Sequence, residues 1–412
     1  MHSATVAAAP APSGAVRSAI LLLALAGFFS GAALRICDGL IPRIAADFSV
    51  SAGAAGQVML TYSIAYGISQ LTFGPLGDRW GKARMVCASL FACSLAAFLC
   101  ALAASFGGLL AIRAAWGIGA AGVVPLSMAW VGDAVAYEQR QATLAKMLMG
   151  MLTGMTAGQA AGGLFADSPF GWRGAFVAVG AGFLVVALLL FARLRHIPAA
   201  PAAPAQGRIG TLKQIGAVLA VPWARVVLVG SFVEGVFLLG PLTFLPAFLH
   251  QRFGVSLSHA GMLVALYAAG GFLYAVLAPR LVRRIGEGRM AGIGGVVMGA
   301  GFLALELAPQ AVLAAPLCLA IGFGTYLYHN TLQTHATQMV PAWRGTAMSC
   351  FAFCLFIGQA LGVSLAGFAF DHAGPAPLLL GPALVLPVMG LAFARGLALR
   401  ATRRVPAAGS SA

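Results

Sequence analysis

Residues 74–85 read GPLGDRWGKARM and residues 279–290 read PRLVRRIGEGRM. At an offset near 205 residues, Leu76, Arg79, Gly81, Arg84 and Met85 of the first fall on Leu281, Arg284, Gly286, Arg289 and Met290 of the second. The first stretch crowds Asp78, Arg79, Lys82 and Arg84 together in a chain that is only 8% charged and 60% hydrophobic. Soluble domains hold about 25% charged residues. Charge this sparse excludes an ordinary soluble protein, and a charged turn that occurs twice points to an internally repeated membrane protein.

The repeat extends outward from these turns. IPRIAADFSVSAGAAG at 41–56 aligns with LPAFLHQRFGVSLSHAG at 245–261, pairing Pro42 with Pro246 and Gly56 with Gly261 across one inserted residue. GQA at 158–160 returns as GQA at 358–360. A membrane-spanning helix needs about 20 apolar residues. Runs of that kind fall at 18–41, 54–76, 85–104, 108–131, 143–165 and 174–194, then at 224–248, 259–279, 290–308, 313–333, 345–368 and 376–397. The expected fold is an all-α integral membrane protein with twelve transmembrane helices in two pseudo-symmetric six-helix halves. The halves span 18–195 and 224–397. A cytoplasmic tail at 1–17, a Pro- and Ala-rich linker at 196–223 and a second tail at 398–412 complete the chain. Residues 18–33 read as the first span and not as a cleaved leader, because the apolar run continues past Arg35 and Asp38.

With the N-terminus inside, twenty Lys and Arg residues fall on the cytoplasmic side, and Arg43, Arg173 and Arg252 fall outside. The positive-inside rule therefore accounts for most of the net charge of +15, and nucleic-acid binding is not needed to explain it. The expected setting is a bacterial inner membrane, crossed many times by a monomer with both termini cytoplasmic. The seven cysteines show no metal-ligand spacing and read as small buried apolar residues. No nucleophile triad, nucleotide loop or metal cluster is present, so neither an enzyme nor a cofactor is expected.

Over nearly the whole chain this pattern resembles the major facilitator superfamily, whose signature loop is similar to GPLGDRWGKARM. IRAAWGIGAA at 112–121 resembles the fourth-helix motif of proton-coupled members. GMTAGQAAGG at 154–163 resembles the fifth-helix motif of the drug and sugar efflux branch, the arabinose-efflux-permease-like proteins, with Gln159 where that pattern usually has proline. The resemblance implies secondary transport of a small organic solute by alternating access, as proton-coupled efflux. Proton-driven uptake is the alternative, and a receptor without transport is a distant one.

Candidate residues follow from charge at membrane depth, which is costly enough to suggest function. Asp38 and Arg113 lie at similar depth and are expected to meet as a proton-coupling pair. Arg35, three residues from Asp38 on the same helix face, offers a structural ion pair instead. Burial favours the neutral carboxyl and a guanidinium favours the carboxylate, so movement between such environments would exchange a proton. Glu234 falls opposite Ser30 in the repeat, and Asp38 falls opposite Leu242, so both acids break the symmetry that the prolines and glycines obey. Glu234 is accordingly a second proton or cationic-substrate site. His329 and His335 read as interface histidines.

A cytoplasmic gate is expected from Gly74, Asp78, Arg79, Gly81, Lys82, Arg84 and Asp133. Asp78 would accept from the start of the eleventh helix near Gly345 and Thr346, and Lys82 or Arg84 would pair with Asp133. Gly150, Gly154, Gly158 and Gly162 form one stripe on the fifth helix, beside Gln159 and Gly163. Tyr62, Tyr66, Gln70, Tyr326, Asn330 and Gln333 are candidate substrate contacts.

Overall fold

The computed structural model describes residues 14–193, 211–374 and 376–404. At 74, 75, 78, 137, 138, 141, 142, 211 and 401–404 only the backbone is described. Residues 1–13 of the expected tail at 1–17, residues 405–412 of the expected tail at 398–412 and most of the expected linker lie outside these residues; 14–17 and 398–404 are helical.

Among the described residues the chain forms twelve long helical rods and no strand. The first six are α1 Gly14–Arg35, α2 Gln57–Trp80, α3 Lys82–Ala101, α4 Phe106–Ala134, α5 Tyr137–Ala166 and α6 Gly171–Arg193. The second six are α7 Pro222–Phe253, α8 Leu257–Ile285, α9 Glu287–Glu306, α10 Ala314–Gln338, α11 Arg344–His372 and α12 Ala376–Arg404. All but α2 and α5 combine the length and apolar composition of a membrane span over their described residues. At 24 and 30 residues these two are also long enough to cross, since each residue rises about 1.5 Å. Leu21, Leu95, Val185, Phe191, Val276 and Leu384 are exposed apolar side chains around the outside, as a surface facing hydrocarbon requires.

Two elements differ from the expected spans. The first helix ends at Arg35; residues 36–40 form a turn, and Ile41–Phe48 forms a short second helix with Pro42 in its first turn. At that turn Gly39 lies against α5, where a Cβ would come within 2.6 Å of the Gly163 amide nitrogen. The second is in the expected linker, where Thr211–Ala220 is helical and Gln214 accepts a hydrogen bond from Thr346 at 2.6 Å. In α7 the stretch Gly235–Leu239 is a π-helix, and the Gly240 amide donates to the Gly235 carbonyl. Pro241 follows and has no amide hydrogen to continue the ordinary ladder.

Backbone contacts give the repeat an atomic register. A Cβ on Gly154 would stand 1.9 Å from the Phe28 carbonyl oxygen, and one on Gly158 would stand 2.4 Å from that of Ala32. In the second half Gly358 meets the Phe232 oxygen at 2.2 Å and Gly362 meets the Val236 oxygen at 2.3 Å. Gly117 on Tyr62 and Gly322 on Tyr267 repeat the same arrangement between α2 and α4 and between α8 and α10. Only glycine permits such close approach of backbones. The register pairs Gly154 with Gly358 and Gly158 with Gly362, so the GQA echo lies one helical turn out of alignment and is not part of the structural repeat. Gly81 at φ +90° and Gly286 at φ +80° open α3 and α9, a conformation that disfavours any side chain with a Cβ.

Candidate functional site

The bundle has a basic end, which carries the α2–α3 and α8–α9 turns, and a far end formed by residues 36–56, 166–171, 254–257 and 372–374. Between them lie buried charges. Arg35 Nη1 donates to Asp38 Oδ2 at 3.3 Å, with side chains 2% and 0% exposed. Asp38 Oδ1 and Arg35 Nε find no hydrogen-bond partner. The expected contact between Asp38 and Arg113 is not made. Arg113 instead stacks over Tyr62 at 4.3 Å and Trp116 at 4.9 Å, and its Nε donates to the Val58 carbonyl at 3.3 Å. The reason is local. Where α1 ends, the turn brings Asp38 back beside Arg35 three residues earlier, while Arg113 on α4 is captured by two aromatic faces, which attract a guanidinium.

Glu234 is 1% exposed and lies at the junction of the α-helical and π-helical parts of α7. His329 Nδ1 on α10 stands 3.0 Å from Glu234 Oε1 and 3.1 Å from Oε2. Sequence reasoning singled out the acid but assigned His329 to an interface, because nothing in the sequence sets the relative rotation of α7 and α10. Arg35 and Glu234 both lie within electrostatic range of Tyr267 and Tyr326. Groups from α1, α7, α8 and α10 thus share one neighbourhood that bridges the halves. A buried carboxylate beside an imidazole can trade a proton, and Arg35, paired with Asp38, lies in the same neighbourhood.

The six expected substrate contacts divide. Tyr62 is 1% exposed and packs between Arg113, Trp116 and Tyr66 inside the first half. Tyr66 reaches across the halves, its ring 4.4 Å from Phe356 of α11, and Gln70 is buried. Tyr326, Asn330 and Gln333 remain half-buried, while Thr325, Leu327, Tyr328, Thr331 and Leu332 around them are buried. That contrast leaves one polar stripe of α10 open, on the side where His329 also lies. Tyr267, the register counterpart of Tyr62, was not singled out from sequence, although the repeat would have located it.

At the basic end Lys82 pairs with Asp133, as expected. Both residues belong to the first half, so this pair ties α3 to α4 and does not join the halves. Arg79 is exposed with its guanidinium 5.9 Å from the Trp80 ring, and Arg84 is exposed in the first turn of α3. The Asp78 side chain lies outside what is described, Gly74 falls within α2, and Thr346 is bonded to Gln214. A cavity of about 600 Å³ opens here within the second half, lined by Trp223, Glu287, Arg289, His335 and Arg400.

The α5 glycine stripe packs on α1 within the first half: Gly150 and Gly162 approach the Ala24 and Ile36 carbonyls as Gly154 and Gly158 approach those of Phe28 and Ala32. The stripe is therefore a packing contact inside the first half and not a contact between halves. Gly163 and the Gln159 carbonyl face Leu257 and Gly261 of α8. The Gln159 side chain is 4% exposed, and its amide nitrogen has no partner.

The chain matches the family model described as Major Facilitator Superfamily over residues 23–363. It is 27% identical over 374 residues to an MFS-type efflux pump of Mycolicibacterium smegmatis, covering 86% of this chain and 84% of that protein. It is 25% identical over 355 residues to a chloramphenicol resistance protein of Streptomyces lividans, covering 86% and 89%. Among solved structures, a bacterial homologue of the human lysosomal transporter Spinster, inward-facing and unoccupied, aligns with TM-score 0.71 at 21% identity over 95% of this chain and 96% of that one. A D-xylose–proton symporter aligns with TM-score 0.74 at 16% identity, over 92% and 96%.

Proposed function

Because the chain belongs to the major facilitator superfamily, and is thus a membrane transporter and not an enzyme, we propose that it exports a small organic solute in exchange for protons. Its basic end faces the cytoplasm of a bacterial cell, with both termini on that side, and it works as a monomer. The observation that carries the reading is the contact of buried Glu234 with the half-buried His329, set on two helices of the second half within electrostatic reach of the Arg35 neighbourhood. A charged pair is expensive to hold in a low-dielectric interior unless geometry and further hydrogen bonds offset the desolvation. Proton exchange at this pair as water reaches it would couple the movement of solute to the pH gradient. Asp38, held by Arg35, is the second proton-responsive acid.

Efflux is supported by the efflux pump and the chloramphenicol resistance protein among the relatives. The uptake alternative rests on Gln159, which replaces the proline of the efflux pattern. Among the described residues, Asp167 and Asp371 hydrogen-bond across the halves at the far end, which supports reading the present conformation as inward-facing. Solute then enters along the half-buried Tyr326, Asn330 and Gln333 stripe. The test is movement of a compound panel in everted vesicles under an imposed pH gradient, comparing the parent with Glu234→Gln and Asp38→Asn. Gradient-driven accumulation in the parent that collapses in Glu234→Gln is expected. Gradient-independent movement in all three would refute proton coupling.

A further inference from the structure

Two hydrogen-bonded contacts join the halves at the far end, and they are copies of each other. Asp371, near the end of α11, accepts from Ser51 Oγ at 2.5 Å and from the Gly53 amide at 2.9 Å in the turn leading into α2. Asp167, at the end of α5, accepts from the Ser258 amide and from Ser258 Oγ, both at 2.7 Å, in the first turn of α8. The register that pairs Gly154 with Gly358 also pairs Asp167 with Asp371 and Gly163 with Gly367. GLFAD at 163–167 and GFAFD at 367–371 are thus one repeated element, glycine and aspartate a helical turn apart. Its acceptors' partners repeat as well: VSAG at 50–53 and VSLS at 255–258 each place a serine at the helix entry and a donor amide two residues later.

The glycines have a separate part. A Cβ on Gly163 would stand 2.3 Å from the Leu257 carbonyl oxygen, and one on Gly367 would stand 2.9 Å from that of Gly53. Each glycine lets the opposing backbone come close enough for the aspartate one turn further on to reach its donors. The Ser258 Oγ also donates to the Gly163 carbonyl at 3.3 Å, a further hydrogen bond between the two six-helix halves at this end.

We propose that the two glycine–aspartate elements are paired gating residues: Asp167 and Asp371 together hold the far end shut in the inward-facing state, and both must release for the outward-facing state to form. The twofold arrangement follows from the repeat. One lock joins α5 of the first half to α8 of the second, and the other joins α11 of the second to the α2 entry of the first. Neither half can swing while its partner's lock is made. Each lock offers two donors to one carboxylate, and breaking either shifts the balance between states.

The proposal rests on alternating access, and its test reads conformation without any solute. Phe170 and Leu307 are exposed positions of opposite halves at the far end. Spin labels on Phe170→Cys and Leu307→Cys report that separation by pulsed electron resonance in detergent or nanodiscs, with the native cysteines mostly buried. Loss of charge-assisted hydrogen bonds at a half-open, water-exposed site sets an expected shift of about tenfold in the closed-to-open ratio for Asp167→Ala or Asp371→Ala, and about a hundredfold for the double variant. An unchanged distance distribution in the double variant overturns the gate. If the alanine variants fold poorly, Ser258→Ala and Ser51→Ala keep both acids and remove one donor from each lock. A severalfold shift toward open is then expected, and no shift in either refutes the assignment. A failed vesicle assay with shifted distances removes proton export and leaves the gate standing.

Discussion

Gly154→Ala adds one methyl group where α5 crosses α1. The new Cβ would stand 1.9 Å from the Phe28 carbonyl oxygen, 2.6 Å from its carbon and 2.8 Å from its Cα. Ordinary contact begins near 3.4 Å, so the helices must part by about 1.5 Å along that line, and every obstructing atom is backbone. The displacement is shared along the interface, because Gly150, Gly158 and Gly162 hold the same close approach on either side. Overpacking of this kind costs about 1–3 kcal/mol, against which the helix-propensity gain of alanine over glycine is about 1 kcal/mol. Gly132→Ala in α4 is the internal control, since a Cβ there meets nothing within 4 Å; that variant should gain about 0.5–1 kcal/mol. Thermal melts in detergent, followed by fluorescence of the chain's six tryptophans, should place Gly154→Ala several degrees below Gly132→Ala, with Gly358→Ala near Gly154→Ala because it meets the Phe232 oxygen at 2.2 Å. A Gly154→Ala melt equal to or above that of Gly132→Ala would refute the close-packing argument.

Arg35→Met and Asp38→Asn should each destabilise the protein by about 3–5 kcal/mol, because either leaves a buried charge without its partner. The double variant should recover much of that loss. Chemical-denaturation midpoints across the double-mutant cycle measure the coupling, and strictly additive losses would mean that Asp38 draws on Arg113 after all. A second expectation concerns pH at the far end. Burial raises the Asp167 carboxyl, but hydrogen bonds from Ser258 and Leu257, together with the His250 charge, outweigh it and hold the group below its ordinary 3.8. A depressed value means that the closed state gains from the carboxylate: the lock is fully present above about pH 4 and is lost as pH falls through the depressed value. In an Asp371→Asn background the closed population should therefore stay level from pH 7 to pH 5 and fall on further acidification. A level population in the Asp167→Asn, Asp371→Asn double variant completes the check, and a fall already at pH 6 would contradict the assignment.

Much of the fold was legible because its causes are local. Apolar run length requires spanning helices, and the echo of residues 74–85 at 279–290 shows that the chain repeats. Gly81 and Gly286 hold the same positive φ at the same place in each copy. The glycines at 150, 154, 158 and 162 announced a close helix contact, although not that its partner was α1. The GQA echo misled, because three identical residues fix no register, whereas a series of glycines against carbonyls does.

The site was less legible. Asp38, Arg113 and Glu234 were visible as charges at membrane depth. Which partner each takes depends on helix rotations and on the turn after Arg35, and neither is encoded by spacing along one helix. His329 meets Glu234 across 95 residues of chain, and Asp371 meets Gly53 across 318. The glycine–aspartate repeat was present in the sequence, yet a lone acid beside a loop carries no signal until its donors are seen opposite it.

By itself the sequence determined that this chain lives in a bilayer, spans it repeatedly, is built twice over and keeps most of its Lys and Arg at one end, because burial cost and hydrogen-bond satisfaction act on each segment separately. Only the tertiary structure decided which charges pair, which polar stripe stays open and where the halves are fastened. Those outcomes depend on the angle and depth at which helices pack, quantities set by many backbone contacts together and by no single stretch.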